Sequence, residues 1–164
     1  MGTHSTPPGR SSAGKVLTRF LLDTSTVSAA MWKSPDPGVL AKLEEHGGEC
    51  AISAHVWHEL RYGVGRLPRG KRRDVLDAFL RDVVYPTLPI LPYDEHAAEW
   101  LANERVRLEK VGKTTPVVDA EIAAVAATNG LPVVTANVAD FSAFRGLVVQ
   151  NWISRVEARQ PRRS

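Results

Sequence analysis

The sequence predicts an α/β fold: a parallel β-sheet with helices packed on both faces. Three observations carry that expectation. Short, mostly apolar runs of strand length recur along the chain, and between them lie longer stretches with apolar residues at helical spacing. Strands separated by helices pair in parallel, because the helix serves as the crossover. The chain also has the means to bury such a sheet: its 164 residues fit one domain, and 43% of them are hydrophobic.

The chain opens with MGTHSTPPGRSSAG, rich in Ser, Thr, Pro and Gly, and residues 1–15 are expected to be a disordered leader. The folded domain is expected over 16–153, with a basic tail over 154–164. Residues 16–22 read as a buried strand that ends at Asp23. Residues 25–32 and 38–46 read as short helices separated by the Pro35-Asp36-Pro37 break. Residues 50–53 form a second strand, and Ser53 or Ala54 opens a helix reaching about Val64.

Beyond Gly63, Gly65 and Pro68, a helix over 69–83 aligns Val75, Leu76, Phe79, Leu80 and Val83. Residues 87–91 read as a strand between prolines. Residues 94–111 read as an amphipathic helix with Ala97, Trp100, Leu101, Leu108 and Val111 on its apolar stripe. Thr115-Pro116 starts a helix that runs through Ala127 and stops at Asn129-Gly130. A strand at 131–135, a short helix near 139–144 and a strand at 147–149 complete the series.

Composition narrows the class. Cys50 is the single cysteine, which rules out a disulfide framework and favours a reducing compartment, with the thiol as a small buried hydrophobe. No apolar run approaches the roughly 18 residues of a membrane-spanning helix. The apolar run before Asp23 is too short for a secretory signal. A cytoplasmic location is therefore expected. The formal charge is only +3, but Arg66, Arg69, Lys71, Arg72 and Arg73 crowd one turn region. Arg155, Arg159, Arg162 and Arg163 crowd the C-terminus. Either cluster suits the phosphates of a polyanion or an ordinary solvated surface.

The carboxylates carry more. In open parallel sheets, sites gather at the carboxyl ends of strands. Asp23 follows the first strand immediately, where it is either a helix cap or a site residue. Glu59 shares the spacing of Val56, Leu60 and Gly63, so it falls on an inward stripe, where a carboxylate needs a partner such as a cation; at the stripe's edge it would be solvated. Asp119, in PVVDAEIAAVAA, shares a face with Ile122, Ala123 and Ala126 and sits in a first helical turn, which also suits a dipole-stabilising acid. Glu121 points elsewhere and is expected on the solvated surface.

Asp140, in VVTANVADF, follows another strand and either joins the others or caps the short helix. Together these acids would repel one another unless a cation neutralised them. Without Cys or His, the set suits a hard, oxygen-loving ion, Mg²⁺ or Mn²⁺, and points to phosphodiester hydrolysis.

Other chemistries fit less well. HVWHE places His55 and His58 three apart with the glutamate after them, not the zinc-protease arrangement. GVGRLPRGK lacks P-loop spacing and a hydroxyl after Lys71. A phosphoaspartyl site would place a second aspartate at the position of Ser25. Trp32 and Trp57 are expected to flank the acid cleft.

LLDTS, SAHVWHELRYG with LPRGKRR, PVVDAEIAAVA and LPVVTANVADF, in that order, resemble the PIN-domain ribonucleases. They are most similar to VapC-type toxins of the FitB-like branch, which share LPxGxRR and a closing NW, and the match covers most of residues 17–153. The resemblance implies a PIN-like α/β/α sandwich with a central parallel sheet, usually as a homodimer. It also implies Mg²⁺- or Mn²⁺-dependent RNA cleavage, restrained by a cognate VapB-type antitoxin of a type II toxin–antitoxin pair. The family's acids fall on Asp23, Glu59 and Asp119, with the fourth at or near Asp140; Thr24 and Thr135 match its hydroxyl positions. Asn137 stands where many members carry an aspartate, a neutral ligand that leaves a non-cleaving RNA- or partner-binding module open as an alternative. A nuclease acting on DNA by the same chemistry is the other. The Arg66–Arg73 cluster is the candidate RNA-binding surface.

Overall fold

The structure is a computed structural model and describes residues 17–155. The expected leader, and the expected tail from residue 156 onward, lie outside the described residues. Five parallel strands form one sheet in the order β3-β2-β1-β4-β5. They are β1 (Phe20–Leu22), β2 (Cys50–Ser53), β3 (Ile90–Leu91), β4 (Val133–Val134) and β5 (Val149–Gln150). Register is set by Phe20 opposite Cys50, Leu21 opposite both Ala51 and Val133, and Leu22 opposite Val134. β1 and β2 are buried throughout, as a sheet covered on both faces requires.

Helices supply the crossovers: α1 (Thr24–Ala30), α2 (Pro37–His46), α3 (Ala54–Gly65), α4 (Lys71–Phe79), α5 (Tyr85–Thr87), α6 (Glu95–Lys110), α7 (Val117–Thr128) and α8 (Val138–Phe141). The most deeply set is α7, where Ala120 and the run 122–126 are all buried. Its small side chains let it pack closely along α6. Asp36, which caps α2, also accepts from the Ser154 and Arg155 amides and so ties α2 to the segment after β5.

Several boundaries differ from the sequence reading, each for a local reason. The helix expected over 69–83 starts at Lys71 and passes into a wide π-type turn, Leu80–Val84. Pro86 comes two residues after it, and a proline ring crowds the carbonyl four residues back, here that of Asp82 inside the turn, so the wider turn relieves the clash. That helical continuation takes up Thr87, which was expected in a strand, and leaves β3 only Ile90–Leu91. Val75 and Val83 are exposed rather than on the packed stripe. Val111, just past the end of α6, is exposed, and on α6 Glu104 is buried. Arg107 makes that burial tolerable: its guanidinium donates to both Glu104 oxygens at 2.9 and 2.7 Å, while the Arg145 amide donates to one of them at 3.1 Å. Gly63, expected on α3's inward stripe, is exposed; Val56, Leu60 and Val64 face the core. β1 begins only at Phe20, β4 keeps Val133–Val134 of the expected 131–135, and β5 is shifted to Val149–Gln150, where it pairs with β4.

Candidate active site

The strand order turns back at β1: the chain steps outward through β2 and β3, then returns to add β4 on the other side. Such a reversal opens a crevice at the carboxyl ends of the strands on either side. Asp23 follows β1 and Thr135 follows β4, so both sit at that crevice. The Asp23 amide donates to the Val134 carbonyl at 2.9 Å, which fixes the two strand ends together. α3 carries Glu59, α7 presents Asp119 from its first turn, and α8 brings Asp140.

Hydroxyls and amides orient these acids. Thr135 Oγ1 donates to Asp23 Oδ2 at 2.7 Å, and the Thr24 amide donates to Oδ1 at 2.8 Å. Ser25 Oγ lies 3.4 Å from Oδ2 and accepts from the Ala136 amide at 3.0 Å. The Asn137 amide donates to Thr135 Oγ1 at 3.0 Å, so Asn137 contributes its backbone to this network and its side chain caps nothing. Thr24 Oγ1 donates to Glu59 Oε2, which ties the start of α1 to α3. Asp23 is both a helix cap and a crevice residue, so the two readings of it are compatible. Asp140 lies in the first turn of α8 and is exposed; the capping position belongs to Asn137.

The electrostatics identify the acids as one group. Burial is the largest influence on Asp23 and pushes its carboxyl above the ordinary range; the hydrogen bonds from Thr135 and Thr24 pull the other way, and the Glu59 charge adds to the rise. Asp119 is pushed up to about 6, first by burial and then by the charges of Asp23, Asp140 and Glu59. Among the described residues, none of the four acids forms an ion pair with Lys, Arg or His. A set of oxygen donors that repel one another and lack a cation suits a divalent ion. The acids stand as neighbours and not as a closed cage: among the described residues, no three His, Cys, Asp or Glu side chains are gathered tightly enough to hold an ion as they stand. Each ionised carboxylate has about four acceptor sites, so the donors already present on Asp23 leave it capacity.

The basic cluster is divided. Arg66, Arg69, Lys71 and Arg72 are exposed and Arg73 is half-buried. Only Arg72 reaches the site: its guanidinium donates to the Met31 carbonyl at 3.1 Å, and with Thr24, Glu59, Trp32 and Leu67 it lines a groove of about 250 Å³. Arg66 instead covers the Tyr62 ring at 4.9 Å. Trp32 borders the groove, whereas Trp57 packs on Tyr85 and lies under Arg61.

Glu121 corrects the sequence reading. It is half-buried, and His55 Nε2 lies 2.6 Å from its Oε2. The pairing partner is remote in sequence, and no spacing signal along α7 marks it.

The PIN domain family model matches residues 20–147. The chain is 33% identical over 137 residues to VapC ribonuclease Y4jK of Sinorhizobium fredii, covering 81% of this chain and 97% of that protein. It is 34% identical over 136 residues to Toxin FitB of Neisseria gonorrhoeae, covering 81% and 98%. The crystal structure of FitAcB from Neisseria gonorrhoeae superposes with a TM-score of 0.74 at 33% identity, over 80% of this chain and 96% of that one.

Proposed function

The chain belongs to the PIN domain family, and from that premise we infer that it is the toxin of a type II toxin–antitoxin pair, a divalent-metal-dependent endoribonuclease. The observation that supports this reading most is the gathering of Asp23, Glu59, Asp119 and Asp140 at one crevice with no cationic partner among the described residues, a crowding that helps push the Asp119 carboxyl up to about 6. Mg²⁺ is the ion the donor set suits, with Mn²⁺ close in its demands.

Asp23, Glu59 and Asp119 would hold the metal and Asp140 would complete the acidic rim. When bound, the ion supplies a water of lowered pKa and a counter-charge for the phosphodiester oxygens. The chain's own groups do the rest. Thr135 and the Thr24 amide fix the direction of the Asp23 carboxylate, so it offers its remaining lone pairs to one place. Thr24 holds Glu59 toward Asp23. Arg72 gives the RNA phosphates a positive contact in the groove, and the exposed Arg66, Arg69 and Lys71, with half-buried Arg73, add positive charge on the surface outside it.

A VapB-type antitoxin is the partner this reading implies, and the groove beside Glu59 admits a cationic side chain that would compete with metal. A homodimer is the expected assembly. Among the described residues no helix is long and apolar enough to cross a membrane.

The test is direct. Titration calorimetry with Mg²⁺ should give saturable binding by the wild-type chain and none by Asp119→Asn, and labelled RNA should be cleaved only by the former. Cleavage by Asp119→Asn at the wild-type rate would sink the metal-site reading. RNA binding without products under either metal would favour a module that binds and does not cut.

A further inference from the structure

The His55–Glu121 pair joins α3 to α7 within a turn of the acid centre: His55 precedes Glu59 by four residues, and Glu121 follows Asp119 by two. Beside it, between α6 and the start of α7, lies a cavity of about 210 Å³ that the acid centre does not use. Tyr93, Leu101, Arg105, Thr115, Val117 and Glu121 line it. The Tyr93 ring meets His55 edge-on, with centroids 5.9 Å apart. Glu121 Oε2 is the oxygen that meets His55 Nε2, and no hydrogen bond is made to Oε1 among the described residues. Among the described residues, the other Glu121 oxygen, the Tyr93 hydroxyl and the Arg105 guanidinium have no hydrogen-bond or ion-pair partner.

We propose that this cavity is a nucleobase pocket for the nucleotide next to the scissile bond, and that it accepts bases with an exocyclic amino group (adenine, cytosine, guanine) over uracil. The use of the pocket in cleavage rests on the ribonuclease reading given above. Three features converge on a base. Leu101, Val117 and the Tyr93 ring give apolar and aromatic surface for its faces. The second Glu121 oxygen can only accept, so it takes an exocyclic amino donor; uracil has a carbonyl oxygen at that position and only its N3–H, flanked by two carbonyls, to offer instead. Burial and the Glu121 charge, partly offset by Arg105, hold the Tyr93 phenol in its protonated form, so it stays a donor at the pocket wall. Arg105, exposed at the cavity, has no carboxylate to satisfy and meets the nucleotide's phosphate.

Calorimetric titration of the full chain with AMP, CMP, GMP and UMP in EDTA reads the pocket without cleavage. The amino-bearing nucleotides should bind about tenfold more tightly than UMP, the scale of one hydrogen bond to a charged acceptor. Glu121→Ala should erase that difference, and Arg105→Ala should weaken all four alike. If Glu121→Ala does not fold, Glu121→Gln answers the question: its amide can donate to uracil, so UMP should gain on the others.

Equal binding of all four by the wild type, or a preference unchanged in the Glu121 variant, overturns the proposal. So does an Arg105→Glu variant that falls to a smaller oligomer with nucleotide affinity unaltered, because the cavity is then a face between copies. RNA cleavage assayed with Mg²⁺ on the same preparations separates the two readings. Cleavage without nucleotide selectivity removes the pocket and leaves the nuclease; selective binding without cleavage does the opposite.

Discussion

Asp23 and Asp36 are both buried, at 3% and 0% exposure, and both cap a helix, yet their surroundings are opposite. Asp36 is saturated with donors. Oδ1 accepts from the Gly38 amide at 2.9 Å, the Val39 amide at 3.0 Å and Ser154 Oγ at 3.0 Å, while Oδ2 accepts from the Arg155 amide at 2.8 Å. Burial alone would raise its pKa, but the amides of Ser154, Val39 and Arg155 outweigh that and hold the carboxyl well below the usual range. Asp23 has fewer donors and has Glu59 and Asp119 as neighbours, and its pKa moves up. One carboxylate is neutralised by its own chain; the other is left for something the chain does not supply. Equal burial therefore says little about role, and the balance of donors against like charges says much more.

The comparison can be broken most sharply by removing the carboxylate at each site. Asp23→Asn should lower RNA cleavage by more than about 100-fold, since even supporting groups of metal sites are felt on that scale. Its unfolding free energy, read by urea denaturation, should stay level or rise, because the variant removes a crowded charge. Asp36→Ala should do the reverse. It strands several buried donors and should cost about 3 kcal/mol of stability, while the folded fraction cleaves RNA as before.

A smaller effect tests the same contrast by pH. A depressed carboxyl stabilises the fold above its unfolded value and loses that contribution on acidification, so Asp36 weakens the fold as pH drops below 3.8. A raised carboxyl has the opposite sign. Asp119 should add stability to the metal-free protein as pH falls from about 6 toward 3.8. Thermal unfolding across that window should show the gain in wild type and lose it in Asp119→Asn. A wild-type protein that only loses stability through this range would count against the shift. The smallest effect belongs to the surface. Arg61 lies 2.6 Å from Asp77 with both side chains well exposed, and Arg61→Ala should cost about 0.5 kcal/mol or less.

The sequence made the acids at the strand ends legible, because a strand's end and a helix's first turn are local features. Asp23, Glu59 and Asp119 needed only hydrophobic spacing to be singled out, and the structure brings their charges together. What could not be read depends on partners remote along the chain. Asp36 looked like part of a proline break, and its donors at Ser154 and Arg155 lie more than a hundred residues away. Glu121 looked solvated because its partner, His55, is on another helix. Val75, Val83 and Val111 carried a helical period into solvent, since periodicity marks a face without telling whether anything covers it.

The Asp36 contact also decides how the chain can be handled. The first two residues of the expected tail, Ser154 and Arg155, are part of what holds α2 in place. Gly38 sits so close to this segment that a methyl group there would lie 2.6 Å from the Trp152 carbonyl oxygen. A stop codon placed before Ser154 would leave a buried negative charge with little but its own helix amides, whereas one placed after Arg155 would spare the contact. For anyone adding a tag or shortening this protein, Ser154 and Arg155 have to be kept.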